Sequence, residues 1–193
     1  MIRRIAILVC LITSFNVSSA LAQWTLDNEG SQLSFVSIKA GNIGEVHKFG
    51  QLSGDLTTDG QLSVEIELAS VDTLIPIRDD RMQQLLFETD IFPKATFKTS
   101  LDMDEVNAIA VGSSTTLDVT GDLTIRDRTT SISSKVMITR FADQGVLVNT
   151  LQPLLLSADA VGLTDGVEKL REIAGLPSIS SAVPVTFVLT FRG

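Results

Sequence analysis

Hydrophobic and polar positions alternate with a period of two along most of this chain. Leu62, Val64, Ile66 and Leu68 are separated by Ser63, Glu65 and Glu67, the pattern of a strand with one buried and one wet face. Leu117, Val119, Gly121, Leu123 and Ile125 repeat it, as do Val183, Val185, Phe187, Leu189 and Phe191. Pro184 sits near the start of that last run, where a missing N–H is tolerated. Weaker alternation at 32–40, 45–57, 94–101, 129–141 and 144–157 brings the total to about eight strands. Asp59-Gly60, Arg126-Asp127-Arg128 and Asp143-Gln144-Gly145 are turn signals between such runs, so the neighbours they join are antiparallel.

Two segments break the rhythm. Residues 79–88 predict a short helix with Asp79 and Asp80 in its first turn and Met82, Leu85 and Leu86 on one side. Residues 164–174 predict a second, capped by Thr164 or Asp165 and ended by Gly175 and Pro177. These are too few to alternate with strands as a parallel sheet requires. With no internal repeat or linker, the chain reads as one all-β domain over residues 23–193, either a sandwich or a closed barrel. If even positions of the 45–57 strand face inward, Val46, Gly50, Leu52, Gly54 and Leu56 line the interior together with Gly121. Glycines at such positions permit tight coiling and leave interior volume.

The first residues follow a different rule. Arg3 and Arg4 precede the apolar run Ile5–Ile12, and Ala20 and Ala22 stand at the two small positions of an A-x-A site. This is the layout of a secretory leader spanning residues 1–22 and cut after Ala22. The apolar run is too short for a comfortable membrane span, and no later stretch approaches that length. Removal takes away two arginines and moves the net charge from −8 to −10. Cys10 leaves with the leader, so the exported chain has no disulfide and must be held by its core. The expected product is a soluble protein of a bacterial periplasm.

Composition then narrows the chemistry. Fifteen basic against 23 acidic residues argue against a nucleic-acid surface. One histidine and one cysteine argue against a His/Cys metal centre or a Cys–His pair. His47, beside Lys48, reads as a surface or hydrogen-bonded residue. The cluster Arg78-Asp79-Asp80-Arg81 is the densest run of charge. It reads as helix-terminal charge and ion pairs, with a carboxylate pair for acid/base work as the rival. Serine nucleophile motifs and phosphate-cradling glycine loops are absent from the sequence.

Several ordered motifs carry a family resemblance. Trp24-Thr-Leu-Asp27 followed by Ser31-Gln-Leu-Ser-Phe35 resembles the opening of YceI-like proteins, and Phe49-Gly-Gln-Leu-Ser-Gly54 resembles their next strand. Ala69-Ser-Val-Asp-Thr73, Arg78-Asp79 and Phe92-Pro-Lys-Ala-Thr-Phe97 resemble the family's most specific stretch. Val119-Thr-Gly-Asp-Leu-Thr-Ile125 and the segment from Val161 to Val183 follow in order. Ile75 and Pro76 stand where many members carry polar residues, and the Asp90–Pro93 interval is shorter than usual.

The resemblance implies a lipocalin-like extended antiparallel β-barrel of about eight strands with one or two short helices, one of them near the barrel mouth. It also implies a periplasmic binding protein, not an enzyme, that needs no cofactor and holds a polyisoprenoid lipid or quinone in the barrel. Expected lining residues are Phe35, Val64, Ile66, Phe97, Leu117, Val119, Leu123, Phe187 and Leu189, with Met82, Leu86 and Phe92 near the helical end; each is equally an ordinary core residue. A homodimer stays open. Two other functions compete: a packed barrel that binds a protein partner, and a hydrolase using the Arg78–Arg81 cluster.

Overall fold

The alternating runs form antiparallel strands that close into a barrel. The structure, a computed structural model, describes residues 22–141 and 145–193. The expected leader up to residue 21, with Cys10, and Asp143-Gln144 of the third predicted turn lie outside the described residues. The strands are β1 (Ala22–Lys39), β2 (Ile43–Phe49), β3 (Leu52–Thr57), β4 (Gln61–Glu67), β5 (Val71–Asp72), β6 (Lys94–Ser100), β7 (Ser114–Ile125), β8 (Arg128–Phe141), β9 (Gly145–Thr150), β10 (Leu154–Ser157) and β11 (Ala182–Arg192). Eight of them close the barrel in the order β1-β3-β4-β6-β7-β8-β9-β11, with β11 pairing back onto β1. The other three, β2, β5 and β10, extend the sheet beyond the barrel at one end.

β1 makes this extension possible because it changes partners along its length. Its first residues pair with β3, from Ala22 opposite Thr57, and its later ones with β2, from Leu33 opposite Phe49. Between Asp27 and Gln32 the register against β11 shifts in a bulge. Motif residues hold that bulge. Asp27 accepts from the Glu29 and Gly30 amides and from Arg192 Nε at 2.7 Å, and Ser31 Oγ donates to the Asp27 carbonyl at 2.6 Å. The Asn28 side chain accepts from Leu52 N at 2.7 Å and donates to the Gly50 carbonyl. Backbone groups left free by the bulge thus find partners.

Three corrections to the sequence expectations follow. The expected 45–57 strand is two strands that break at Gly50-Gln51, and inward parity reverses across the break. In β3 the even residues Leu52, Gly54 and Leu56 are buried, but Val46 in β2 and Gly50 at the break are exposed while His47 is buried. The inward glycines do not leave room either. A Cβ on Gly54 would stand 2.5 Å from the Ser63 carbonyl oxygen, and one on Gly121 would stand 2.5 Å from the Phe97 ring. They admit close strands and an aromatic ring. The 144–157 run also divides, at 151–153, where Pro153 interrupts the ladder and β10 takes up a different neighbour.

The helices lie near their expected places. α1 (Pro76–Arg81) begins with proline at N1 and continues as a π-helical turn over Met82–Phe87, ended by Glu88 at φ 54°. α3 (Thr164–Ile173) starts after Leu163, without the side-chain cap expected of Thr164 or Asp165, and Gly175 follows it at φ 62°. Between β6 and β7 lies α2 (Met103–Asn107), capped by Asp102, whose carboxylate accepts from Asp104 N at 2.9 Å. No helix among the described residues is long and apolar enough to cross a membrane.

The interior divides along the barrel axis. One half is packed with Trp24, Leu56, Val106, Ile109, Val136, Ile138 and Phe191, all buried, with α2 supplying Val106 and the turn after it Ile109. The other half, under α1 and α3, is hollow.

Candidate functional site

A cavity of about 480 Å³ occupies this second half, within the range of about 300–1,000 Å³ usual for ligand sites. The extended end of β1 contributes Leu33, Phe35, Ser37 and Lys39, and β2 contributes His47 and Phe49. Ile66, Ala95, Leu123 and Ile125 form the floor from β4, β6 and β7. α1 and its π-helical turn supply Ile77, Arg78, Arg81, Met82, Leu86 and Phe87. The opposite wall comes from Val161 and Leu163, from Val167 and Leu170 of α3, and from Val183 and Val185 of β11. The two helical pieces meet through Gly166, where an added Cβ would be 2.8 Å from the Leu86 Cα. That close seam roofs the cavity.

Of the expected lining residues, the structure brings Phe35, Ile66, Met82, Leu86 and Leu123 onto this wall. Val64 and Leu189 are buried in the core, and Phe97, Leu117, Val119 and Phe187 pack against it, away from the cavity wall. The Phe97 ring covers Gly121. Phe92 lies off the wall too, beneath the Arg126 guanidinium at 5.5 Å, and Glu88 reaches that guanidinium at 3.2 Å. All but Phe92 share the inward face that alternation marks. Alternation gives the face of a strand and says nothing of height along the barrel axis.

His47 is a departure from expectation. It is 4% exposed, sits edge-on to Phe35 with ring centroids 5.3 Å apart, and its Nδ1 has no hydrogen-bond partner. Nε2 is 3.7 Å from Glu45. Burial, and then the Arg78 charge, hold His47 below its ordinary value of 6.5, outweighing the Glu45 carboxylate that acts the other way. The sequence signal was available: His47 and Phe49 share one parity, two residues apart.

The Arg78–Arg81 cluster pins the mouth. Arg78 donates one guanidinium nitrogen to Glu45 and another to the Thr73 carbonyl. Asp79 accepts from Thr73 N at 2.9 Å and from the Thr73 hydroxyl. Lys39 joins Glu45 at 2.8 Å, and that contact is the main cause holding the Glu45 carboxyl below its ordinary range. Asp80 faces solvent. Arg78 and Asp79 therefore fasten the loop after β5 to the outer end of β2, across the cavity entrance.

These shifts carry signs for stability. His47 is neutral in the fold and would take a proton more readily when unfolded, so the unfolded state binds more protons as pH falls through 6.5. Stability then falls with pH through and below that value. Glu45, lowered in the fold, contributes stability above its ordinary 4.5 that is lost below it. Thermal melts from pH 7.5 downward should show two separate losses, and His47→Gln should remove the one near neutrality alone. A His47→Gln profile parallel to that of the unsubstituted protein would contradict this assignment.

The arrangement suits a long apolar guest with a polar end: a mostly apolar wall, with Lys39, Arg78 and Arg81 among the lining residues and Glu45 paired with the first two. Comparisons with known proteins agree with the fold. A polyisoprenoid binding domain from Saccharophagus degradans, implicated in plant cell wall breakdown, shares 35% identity at a TM-score of 0.87, over 90% of this chain and 99% of that one. Burkholderia cenocepacia BcnA has the same fold at a TM-score of 0.66 and 21% identity, over 86% and 98% of the two chains. A Campylobacter jejuni YCEI protein follows at 0.57 and 17%, over 76% and 84%. No protein with a curated description matches the sequence. The YceI-like domain model matches residues 24–191, from the buried Trp24 to the buried Phe191 that bracket the closed barrel, and the chain belongs to that family.

Proposed function

We propose that the protein is an exported carrier that sequesters an isoprenoid chain, of quinone or polyprenyl type, in the cavity beneath α1 and α3. The observation that carries this is the apolar cavity of about 480 Å³ in a barrel whose other half is packed. Support comes from the 35% identical neighbour described as a polyisoprenoid binding domain. Transfer of about 300 Å² of tail from water would contribute about 7 kcal/mol at ~25 cal/mol per Å². That exceeds the lower estimates, about 4 kcal/mol, for immobilising a ligand. Burial of the tail thus supplies the driving force, and the polar groups on the cavity wall (Ser37, Lys39, His47, Arg78 and Arg81), of which Lys39 and Arg78 are paired with Glu45, would select the head group. The leader-like residues 1–22 support delivery to the periplasm.

Native mass spectrometry of protein expressed with its leader reads both halves of the proposal. The expected spectrum shows a polypeptide beginning at Gln23 that carries a co-purified isoprenoid or takes up an added polyprenol. An intact leader would overturn the export half. A persistently empty protein that ignores added polyprenols and quinones would overturn the carrier half.

A further inference from the structure

His47 is a buried polar side chain on the cavity wall that folding leaves without a hydrogen bond. The imidazole is 3% exposed, Nδ1 has no partner, and Nε2 stops 3.7 Å from Glu45, beyond hydrogen-bonding distance. Neither ring nitrogen is satisfied among the described residues. A polar group buried in this way costs stability, so the fold alone does not explain a histidine here. The wall beside it is aromatic. Phe35 meets the imidazole edge-on, Phe49 lies 5.5 Å from Phe35, and Phe87 lies 5.8 Å from Phe49, between ring centroids. All four rings line the cavity, in a chain that is only 5% aromatic. Such a wall suits a flat conjugated ring, and the imidazole at its end offers one hydrogen bond.

The charges at the entrance point the same way, because they cancel. Lys39 and Arg78 both pair with Glu45, and Arg81 shares α1 with Asp79 and Asp80. Three cations thus stand among three carboxylates. His47 adds no charge at neutral pH, since burial and then the Arg78 charge hold it below its ordinary 6.5. A lipid phosphate would leave water for a site with no surplus of positive charge. An uncharged head group loses less hydration. A neutral imidazole has one donor and one acceptor, so it can donate to a carbonyl or accept from a hydroxyl.

We propose that His47 reads the head group through one hydrogen bond to an uncharged oxygen, so that the cavity takes quinones and prenols in preference to prenyl phosphates. The inference rests on the carrier function and narrows it, from any isoprenoid to one with a neutral, oxygen-bearing end.

Titration with four probes, followed by native mass spectrometry, tests it: a polyprenol, its monophosphate, a benzoquinone with the same tail, and squalene, a hydrocarbon isoprenoid with no head group. The quinone and the prenol should bind about tenfold more tightly than the phosphate, or better. His47→Phe keeps a ring in place and removes both nitrogens. It should weaken quinone and prenol binding about tenfold, with squalene uptake unchanged and the melting temperature no lower. His47→Leu repeats the test with a smaller side chain, and His47→Gln, which keeps a donor and an acceptor, should retain part of the affinity. Phosphate binding as tight as that of the prenol would overturn the proposal. So would quinone binding by His47→Phe equal to that of the unsubstituted protein. An equal loss of squalene in that variant would overturn it too, because the imidazole would then only fill space. Squalene uptake with no preference among head groups would leave the carrier function standing and remove His47 as the reader. No uptake of any probe would overturn the carrier function itself, and this proposal with it.

Discussion

Ala95→Phe is expected to abolish isoprenoid uptake while leaving the barrel folded. Ala95 lies in β6 opposite Ile66, is almost wholly buried, and lines the cavity floor with Ile66, Leu123 and Ile125. A phenyl group there enters volume that no protein atom occupies. Burying it gains about 1.5–3 kcal/mol, and misfit in a tight wall costs about 1–3 kcal/mol, so the melting temperature should move little in either direction. Ligand affinity should fall at least a hundredfold, a loss of about 3 kcal/mol, because the ring takes the space the tail needs. Leu117→Ala supplies the opposite control. Leu117 packs against the core away from the cavity, and its truncation should cost about 1–2 kcal/mol of stability with affinity unchanged. Titration with a polyprenol by native mass spectrometry, alongside thermal melts, reads both. Equal uptake by Ala95→Phe and the unsubstituted protein would mean that the tail lies elsewhere; a packed-barrel interaction protein would show no uptake to lose.

The contrast between Ala95 and Leu117 also marks how far the sequence could be read. Period-two alternation placed β7, β8, β11 and the second half of β1, because each has one face in the core and one in water. It could not place breaks where parity reverses. At Gly50-Gln51 the chain leaves the β2 extension and re-enters the barrel as β3, so Val46 and Leu52 share a parity in sequence but face opposite media. Nor could it say which inward residues meet other side chains and which meet a void, since a void is made by elements remote in sequence. Phe35 and Phe187 show this. Both are inward phenylalanines, on the paired strands β1 and β11. Phe35 meets the cavity, under the helical roof, and Phe187 does not. The roof depends on Gly166 seating α3 against Leu86, a contact between residues 80 positions apart.

Family motifs proved more informative than periodicity at the irregular places. Asp27 and Ser31 hold the β1 bulge, and Thr73, Arg78 and Asp79 tie the entrance loop. These polar residues satisfy backbone groups where the ladder is interrupted. That is why a charge cluster that reads as candidate chemistry serves as a fastening. His47 escaped for the converse reason: a lone histidine beside a lysine resembles surface, and only the outer end of β1 and Phe35 bury it.

Gly121→Ala is expected to cost about 3 kcal/mol of stability or more, comparable with the loss of a large core side chain. Gly121 faces inward on β7, and a Cβ there would stand 2.5 Å from both the Lys98 carbonyl oxygen and the Phe97 ring. The ring can turn away, but the carbonyl belongs to the β6–β7 ladder, which holds only three residue pairs, Thr96–Thr124, Phe97–Leu123 and Lys98–Asp122. Relief would have to part that short seam and open the barrel wall. For a domain of this size the penalty corresponds to a melting temperature lower by about 6–12 °C. Gly121→Ala with Phe97→Leu should recover only part of it, since the ring contact disappears and the carbonyl contact remains. Gly112→Ala is the control: its φ is 80° but no atom lies within 4 Å of the added Cβ, so only backbone strain of about 1 kcal/mol is expected. A Gly121→Ala protein that melts with the unsubstituted one would show that β6 and β7 can separate without cost. Gly121 does not line the cavity, so the folded fraction of the variant should bind isoprenoid with unchanged affinity. Ala95→Phe should do the reverse. Opposite responses at two inward positions of neighbouring strands would separate the half of the barrel that holds the fold from the half that holds the ligand.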